Sequence, residues 1–176
     1  MKILNLHGFM GEADNKNYKA LCGLISADDI ISPQLRYMET SPSELLSQLA
    51  NIAGNKELIL VGQSLGGWYA DKLSRRLGRP CILTNPCYYP HELELITSSG
   101  IPADFTNQYR LLTDSSMNEH AYTICSDGDT LLPDNLENCI KLSLTVKRVH
   151  GSHSTIEDIS VHLSDMLRAI RLDCLI

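Results

Sequence analysis

A serine lies at the centre of a glycine-rich turn between a predicted strand and a predicted helix. The apolar run 58–61 precedes GQSLGG at 62–67, and apolar residues at helical spacing follow it. A serine in a G-x-S-x-G turn sits on strained backbone, and its flanking glycines leave room where a Cβ would collide with a neighbouring strand or helix. The backbone N–H of Leu65 would point at the same position and stabilise an oxyanion. The turn therefore predicts that Ser64 is a nucleophile.

A carboxylate and an imidazole, which such a serine needs as partners, follow two later predicted strands. Asp129 comes after the strand predicted over 120–125, and His153 comes after the strand predicted over 142–149. A serine hydroxyl is a weak nucleophile near neutral pH, so His153 would accept its proton and return it to the leaving group. Asp129 would hold the imidazole in the required tautomer. The chain order Ser, Asp, His is the one expected of α/β hydrolases.

Each of these two partners has a competitor nearby in the sequence. Asp127 precedes Asp129 in an Asp-Gly-Asp run that is also typical of an ordinary turn. His150 lies so close to its strand that the alternative interpretation is a histidine packed in the core. The position in the loop after each strand favours Asp129 and His153. His150 and His153 have the spacing of metal ligands, but no nearby cysteine or group of acidic residues accompanies them, so no metal site is predicted.

Strands and helices alternate along the chain. The strands are predicted over 2–6, 28–32, 58–61, 81–84, 120–125 and 142–149. The helices are predicted over 17–24, 42–53, 65–77 and 133–140, with an amphipathic C-terminal helix up to residue 170. Such alternation gives a mainly parallel sheet flanked by helices, the α/β class. Because ligands gather beyond the carboxyl ends of parallel strands, the loop after the first strand should face the same crevice as Ser64.

Two capping boxes mark the starts of predicted helices. Ser41 and Glu44 enclose a proline at the first helical position, ahead of the helix over 42–53. Ser154 and Glu157 form the second box, so the last helix is expected to begin just after His153. Its positive end would then mildly disfavour the imidazolium.

The segment 87–119 loses the regular spacing of its neighbours. It contains Tyr88, a short apolar run and then a polar stretch with glycine and proline. An insertion of this length between two strands is typical of a functional segment, and a lid over the crevice is one interpretation. A helical crossover with a ragged loop is the other, and both stay open.

Composition and charge restrict the domain count and the partners. The chain has 176 residues, 43% of them hydrophobic, which predicts one domain over 1–176. A net charge of −6 argues against nucleic-acid and anionic-membrane partners. The N-terminus reads as a first strand and not as a signal peptide, and the six cysteines show no C-x-x-C spacing. A cytoplasmic protein with free thiols is expected, and no sequence feature decides between a monomer and a homodimer.

Five motifs carry a resemblance that spans nearly the whole chain. They are His7-Gly8-Phe9, the GxSxGG pattern at 62–67, Asn85-Pro86, Gly128-Asp129 and Gly151-x-His153. In order and approximate spacing they resemble those of the YqiA/YcfP-type small bacterial esterases, a compact branch of the α/β-hydrolase superfamily. Gln63 departs from that pattern at a position that is often serine, and Met10-Gly11-Glu12 replaces a serine-rich continuation of the first loop.

The resemblance implies a role for each part of the site. It implies Ser64 as nucleophile, Asp129 as acid and His153 as base. The backbone of the first loop, including Phe9, would form the oxyanion hole together with Leu65. The implied reaction is hydrolysis of short acyl esters, with acyl-CoA thioesters as a second substrate class and no cofactor.

Further residues near the crevice are predicted to contact a small acyl ester or thioester. Gly8 and Met10 belong to the first loop, and Tyr88 begins the aperiodic segment. For Phe9 and Tyr88 the alternative is packing in the core or the lid, and His7 is interpreted as a structural histidine that holds the loop. We therefore predict a serine hydrolase that works through an acyl-enzyme. The alternative is a protein-interaction module of low turnover on the same fold.

Overall fold

The computed structural model describes residues 2–173, and Cys174 lies outside this range. The strands are β1 (Lys2–Leu6), β2 (Ile30–Ile31), β3 (Leu58–Gln63), β4 (Cys81–Thr84), β5 (Asn118–Ser126), β6 (Ser143–Val149), β7 (Gly151–Ser152) and β8 (Thr155–Ile156). The helices are α1 (Lys16–Cys22), α2 (Pro42–Ala53), α3 (Leu65–Leu77), α4 (Glu94–Thr97), α5 (Ala103–Leu112), α6 (Asn135–Leu142) and α7 (Ile159–Asp173). The strands and helices predicted from the sequence up to residue 149 are all present, with ends that differ by a few residues.

Six of the strands form one parallel sheet in the order β2-β1-β3-β4-β5-β6. Residues of the inner strands are buried on both faces, because helices cover both: in β3, Leu60 faces one core cluster and Val61 the other. The first cluster includes residues of α2, α3, α5 and α6, and the second includes residues of α1 and α7. Burial on both faces is typical of parallel sheets in α/β proteins.

Local signals set the ends of the helices on either side of β3. The Ser41 hydroxyl accepts a hydrogen bond from the Glu44 N–H at 3.4 Å, and Pro42 opens α2. Helix α3 ends at Gly78, whose φ of +60° lies in the left-handed region. Arg75 and Arg76 lie in its last turn, next to the negative end of the helix dipole.

The second predicted capping box is wrong. Residues 151–156 form the β7–β8 hairpin, and α7 begins only at Ile159. Gly151 has a φ of +149°, and a Cβ on it would lie 2.3 Å from the Thr155 carbonyl oxygen. The Glu157 N–H donates to the His150 carbonyl at 3.1 Å. This N–H is therefore not available for the hydrogen bond to the Ser154 side chain that a capping box requires. The helix start on which the expected dipole effect depended is therefore not adjacent to His153.

The segment 87–119 is a helical crossover for most of its length. It contains α4 and α5, and Ile96, Ile101 and Tyr109 are buried in the first core cluster. The Tyr109 ring packs edge-on against Trp68 of α3, with ring centroids 5.0 Å apart. Of the two alternatives, the crossover therefore describes residues 94–112. A lid function for residues 87–93 stays a prediction.

The described cysteines are all free thiols, and four of the five are buried. Within residues 2–173, none of the helices has the length and apolar character needed to cross a membrane.

Candidate active site

The structure brings Ser64, Asp129 and His153 together at the carboxyl edge of the sheet. The Ser64 Oγ lies 2.8 Å from Nε2 of His153, and Nδ1 of the same ring lies 2.8 Å from Oδ2 of Asp129. Ser64 stands between β3 and α3, Asp129 follows β5, and His153 sits in the turn between β7 and β8. A hydrogen-bonded chain of this kind gives the hydroxyl a proton acceptor and gives the acceptor an orienting carboxylate.

The backbone at Ser64 is strained, as the sequence pattern predicted. Its φ is +52°, a value that residues with a side chain rarely adopt. The neighbouring glycines are required by contact: a Cβ on Gly62 would lie 2.3 Å from the Gly66 carbonyl oxygen, and one on Gly66 would lie 2.3 Å from the Leu6 carbonyl oxygen. The turn therefore presses α3 against β1 and β3 and leaves the hydroxyl facing away from the sheet.

The Asp129 carboxylate is buried and uses both of its oxygens. Oδ1 accepts hydrogen bonds from the N–H groups of Leu131 and Leu132, at 3.1 and 3.0 Å. Oδ2 accepts from the side-chain amide of Asn135 at 3.4 Å in addition to its contact with His153. Because four donors surround the carboxylate, it is held in one orientation towards the imidazole.

The two competitors form a separate pair. Nδ1 of His150 lies 3.0 Å from Oδ2 of Asp127, and Arg148 approaches the same oxygen at 3.8 Å. The His150 side chain is 82% exposed, so the alternative of a histidine packed in the core is wrong. Asp127 therefore pairs with the neighbouring imidazole and leaves Asp129 to His153.

His7 holds the first loop from inside the protein. The Leu35 N–H donates to its Nε2 at 2.9 Å, so the ring proton must be on Nδ1, which donates to the Gly8 carbonyl at 2.8 Å. Burial lowers the pKa of His7, although the Gly8 carbonyl and the Glu12 carboxylate oppose the shift. A neutral histidine with both nitrogens in use fits the structural role predicted for it.

The residues of the first loop differ in their access to Ser64. Gly8 lies directly against it, since a Cβ on Gly8 would come within 3.2 Å of the Ser64 Cβ and 3.8 Å of its Oγ. Phe9 is half-buried and packs against Tyr37. Met10 is 80% exposed with a φ of +56°. The positions of Gly8 and Met10 agree with contact to a substrate, and that role stays a prediction.

The two remaining predicted residues are buried. Leu65 is the first residue of α3, where the helix supplies no acceptor for the backbone N–H, and its place in an oxyanion hole stays a prediction. Tyr88 is also buried, and its hydroxyl pairs with Ser143 Oγ at 2.7 Å inside the core. Burial raises the pKa of Tyr88 well above its ordinary value. Only its ring remains available to border a substrate site.

Sequence reasoning missed the role of Asn85. Its side-chain amide donates to the carbonyl oxygens of Ser152 and His153, both at 3.0 Å, and to Ser126 Oγ at 2.9 Å. Its Oδ1 accepts the Ser126 N–H at 2.7 Å. Asn85 is fully buried with a φ of +42°, a conformation that asparagine tolerates better than most residues. An Asn-Pro pair directly after a strand was the available signal, and Asn85 ties the His153 turn to the end of β5.

Across residues 2–173, no three His, Cys, Asp or Glu side chains are grouped so that they could hold a metal ion.

A family model described as "Uncharacterised protein family (UPF0227)" matches residues 2–111. That range includes the first loop and the Ser64 turn, and it ends before Asp129 and His153. The assignment of the acid and the base consequently depends on their geometry around Ser64.

Solved structures of α/β hydrolases have the same fold. Alpha/beta hydrolase domain-containing protein 10 from mouse has a TM-score of 0.71 and 16% identity, covering 99% of this chain and 90% of its own. Est1E from Butyrivibrio proteoclasticus has a TM-score of 0.62 and 12% identity, covering 97% and 86%. The pyrethroid hydrolase PytH has a TM-score of 0.64 and 16% identity, covering 95% and 96%. These similarities confirm the predicted fold class.

Proposed function

The chain belongs to the UPF0227 family, the family of YqiA and YcfP, and from this premise we propose that it is a serine hydrolase that cleaves carboxylic esters through an acyl-enzyme on Ser64. The observation that carries the proposal is the hydrogen-bonded chain from Ser64 Oγ through His153 to Asp129, with both contacts at 2.8 Å. It is supported by the positive φ of the serine, because strain of this kind is concentrated at functional sites.

In the first half of the reaction, Ser64 Oγ attacks the ester carbonyl carbon. Its proton passes to Nε2 of His153. The Nδ1–H of the same ring keeps donating to Asp129 Oδ2, and the carboxylate stabilises the positive charge of the imidazolium. The tetrahedral intermediate then collapses: the bond to the alkoxide breaks, and His153 returns the proton to the leaving oxygen. An acyl-enzyme and a free alcohol remain.

In the second half, water replaces the serine. His153 removes a proton from the water as it attacks the acyl carbon, and then returns a proton to Ser64 Oγ. The carboxylic acid leaves, and the enzyme is restored without a cofactor. In both halves the carbonyl oxygen becomes negative, and the proposed donors are the N–H of Leu65 and an N–H of the loop next to Gly8.

Esters are proposed ahead of acyl-CoA thioesters because of charge. The protein carries a net charge of −6, which opposes the approach of a phosphorylated leaving group. We expect p-nitrophenyl butyrate to be hydrolysed with a higher kcat/KM than butyryl-CoA at the same pH and ionic strength.

The decisive experiment replaces the nucleophile. Ser64→Ala should lower hydrolysis of p-nitrophenyl butyrate by several orders of magnitude, since loss of the nucleophile of a triad can cost about a millionfold. Ser47→Ala is the matched control, because Ser47 is an exposed serine on α2. Activity retained in Ser64→Ala would reject the mechanism.

A fluorophosphonate probe separates the enzyme from the alternative of a low-turnover interaction module. An active serine hydrolase should be labelled at Ser64, as shown by mass spectrometry of the modified peptide. Folded protein that resists labelling would support the module.

A further inference from the structure

A cavity of about 220 Å³ lies beside the candidate active site, and the reaction proposed above does not yet use it. It lies between residues 87–93, which follow β4, and residues 131–138, which follow β5, and it is open to solvent on one side. Its walls include Tyr88, Tyr89, Leu93, Leu132 and Asn138.

The walls of the cavity begin at residues that are hydrogen-bonded to the site. The Cys87 N–H donates to the Ser64 carbonyl at 3.0 Å. On the opposite wall, the N–H groups of Leu131 and Leu132 hold Oδ1 of Asp129. Each wall of the cavity is therefore joined by hydrogen bonds to a residue of the candidate site.

Sheet order gives the cavity a direction relative to the carbonyl group. Gly8 and the first loop follow β1, whereas the cavity follows β4 and β5, on the other side of β3. Ser64 stands at the end of β3, between the two. If the carbonyl oxygen of the substrate points towards the first loop, the β4 side of Ser64 is left for the acyl chain or the alcohol group of the ester.

The size and lining of the cavity restrict its occupant. Its volume is below the range of about 300–1,000 Å³ that holds drug-sized ligands, which suits a small group. Tyr89, Leu93 and Leu132 supply the apolar part of the wall, and polar side chains such as Asn138 supply the rest. The apolar part could bury a short hydrocarbon chain.

Charge restricts the occupant further. Glu92 and Asp134 border the cavity, and no lysine or arginine is among the described residues that line it. The recorded ion-pair contact of Glu92 is His91 at 3.4 Å, and burial lowers the pKa of that histidine. Asp134 precedes α6 without a capping hydrogen bond from its side chain. A chain that ends in a carboxylate would be repelled.

We propose that this cavity is the acyl subsite and that it selects short, uncharged acyl groups. The proposal rests on the serine hydrolase function above and names the substrate class of that site. It assigns Leu93, Leu132 and Asn138 to specificity and no residue of the cavity to the chemical steps.

The first test fills the cavity from α6. Asn138 lines it and its side chain has no recorded hydrogen bond within residues 2–173, whereas Glu137 is exposed on the same helix and does not line it. Asn138→Trp should lower kcat/KM for p-nitrophenyl hexanoate relative to p-nitrophenyl acetate by at least about tenfold, because one methylene in a tight pocket is worth that much. The control Glu137→Trp should leave the ratio unchanged.

Three readouts separate the possible failures. If wild-type protein is neither labelled by diisopropyl fluorophosphate nor active, the proposed function fails and the subsite fails with it. If wild type and Asn138→Trp are both labelled and their acyl-chain ratios are equal, only the subsite is overturned. The subsite is also overturned if Asn138→Trp changes the relative kcat/KM values of butyrate esters with different alcohols and leaves those of the acyl series unchanged. The cavity would then hold the leaving group.

A second pair of variants keeps the test informative if tryptophan prevents folding. Leu93→Ala enlarges the cavity and should move the preferred p-nitrophenyl ester to a longer acyl chain. The double variant Glu92→Gln/Asp134→Asn should raise kcat/KM for p-nitrophenyl hemisuccinate relative to p-nitrophenyl butyrate several-fold. An unchanged order of substrates in both variants would overturn the proposal.

Discussion

At the scale of single residues, the site depends on side chains that touch no substrate. Asn85 donates to the carbonyl oxygens of Ser152 and His153, and Asn135 donates to the carboxylate that orients the imidazole. Residue type and position in the loop favoured Asp129 and His153 over their neighbours but did not show what Asp127 and His150 contact. The role of Asn85 was not predictable, because its partners lie 41 and more residues away in the chain.

Asn85→Gly should separate the hydrogen bonds of Asn85 from its backbone conformation, because glycine adopts the φ of +42° without strain. Without the amide, the His153 turn loses its anchor to β5. We expect kcat per labelled active site to fall by up to about a hundredfold, the cost of a small misplacement, with little change in KM. Kinetics on enzyme whose active sites have been titrated with a fluorophosphonate measure this directly.

Ser126→Ala provides the comparison for Asn85→Gly. It removes one partner of Asn85 and keeps both carbonyl contacts with the His153 turn. Its kcat should stay close to that of wild type. A fall in folded protein with normal kcat per active site in Asn85→Gly would show a purely structural role.

At the scale of elements, close backbone approach builds the site. The Ser64 turn brings α3 so near to β1 and β3 that glycine is the only residue that fits at 62 and 66. The hairpin after β6 replaces a helix start that the local sequence favoured, because long-range backbone pairing outweighs a single cap. In the segment 87–119 the helices have only 4 and 10 residues, so spacing alone could not distinguish a crossover from a lid.

Gly66→Ala should destabilise the protein far more than Gly78→Ala. A Cβ at Gly66 meets the carbonyl oxygens of Leu6 and His7 at 2.3 and 2.4 Å, whereas a Cβ at Gly78 has nothing within 4 Å. The cost at Gly78 should be about 1–2 kcal/mol, from its left-handed conformation alone. At Gly66 the backbone must move, and we expect a loss of more than about 3 kcal/mol. Urea unfolding of both variants measures the difference, and equal losses would contradict the packing described for this turn.

At the scale of the whole molecule, buried histidines link stability to pH. Burial lowers the pKa of His7, His91 and His162 from the ordinary value of 6.5. The unfolded chain therefore binds more protons than the folded chain once the pH falls below 6.5. Burying these histidines in the neutral form therefore contributes its full stability above pH 6.5. That contribution is lost as the pH falls towards the pKa values of the histidines in the folded protein.

The free energy of unfolding should consequently be lower at pH 5.5 than at pH 7.5. Each additional proton bound by the unfolded chain contributes a slope of about 1.4 kcal/mol per pH unit. His7→Gln should flatten the dependence, and His120→Gln, at an exposed position on β5, should not. Urea titrations at the two pH values provide the test, and a stability that does not change with pH would refute this linkage.

Local information in the sequence was sufficient for the alternation of strands and helices, the nucleophile turn and the order of the three candidate catalytic residues. These features depend on neighbours a few positions apart, such as the apolar run before Ser64 and the glycines around it. Only the tertiary structure decided that Asp129 and His153 reach Ser64 while Asp127 and His150 pair with each other. It also decided that Asn85 anchors the turn and that a cavity lies beside the site. These are contacts between segments far apart in the chain, and parallel strands whose ends meet at one edge are what bring such segments within bonding distance.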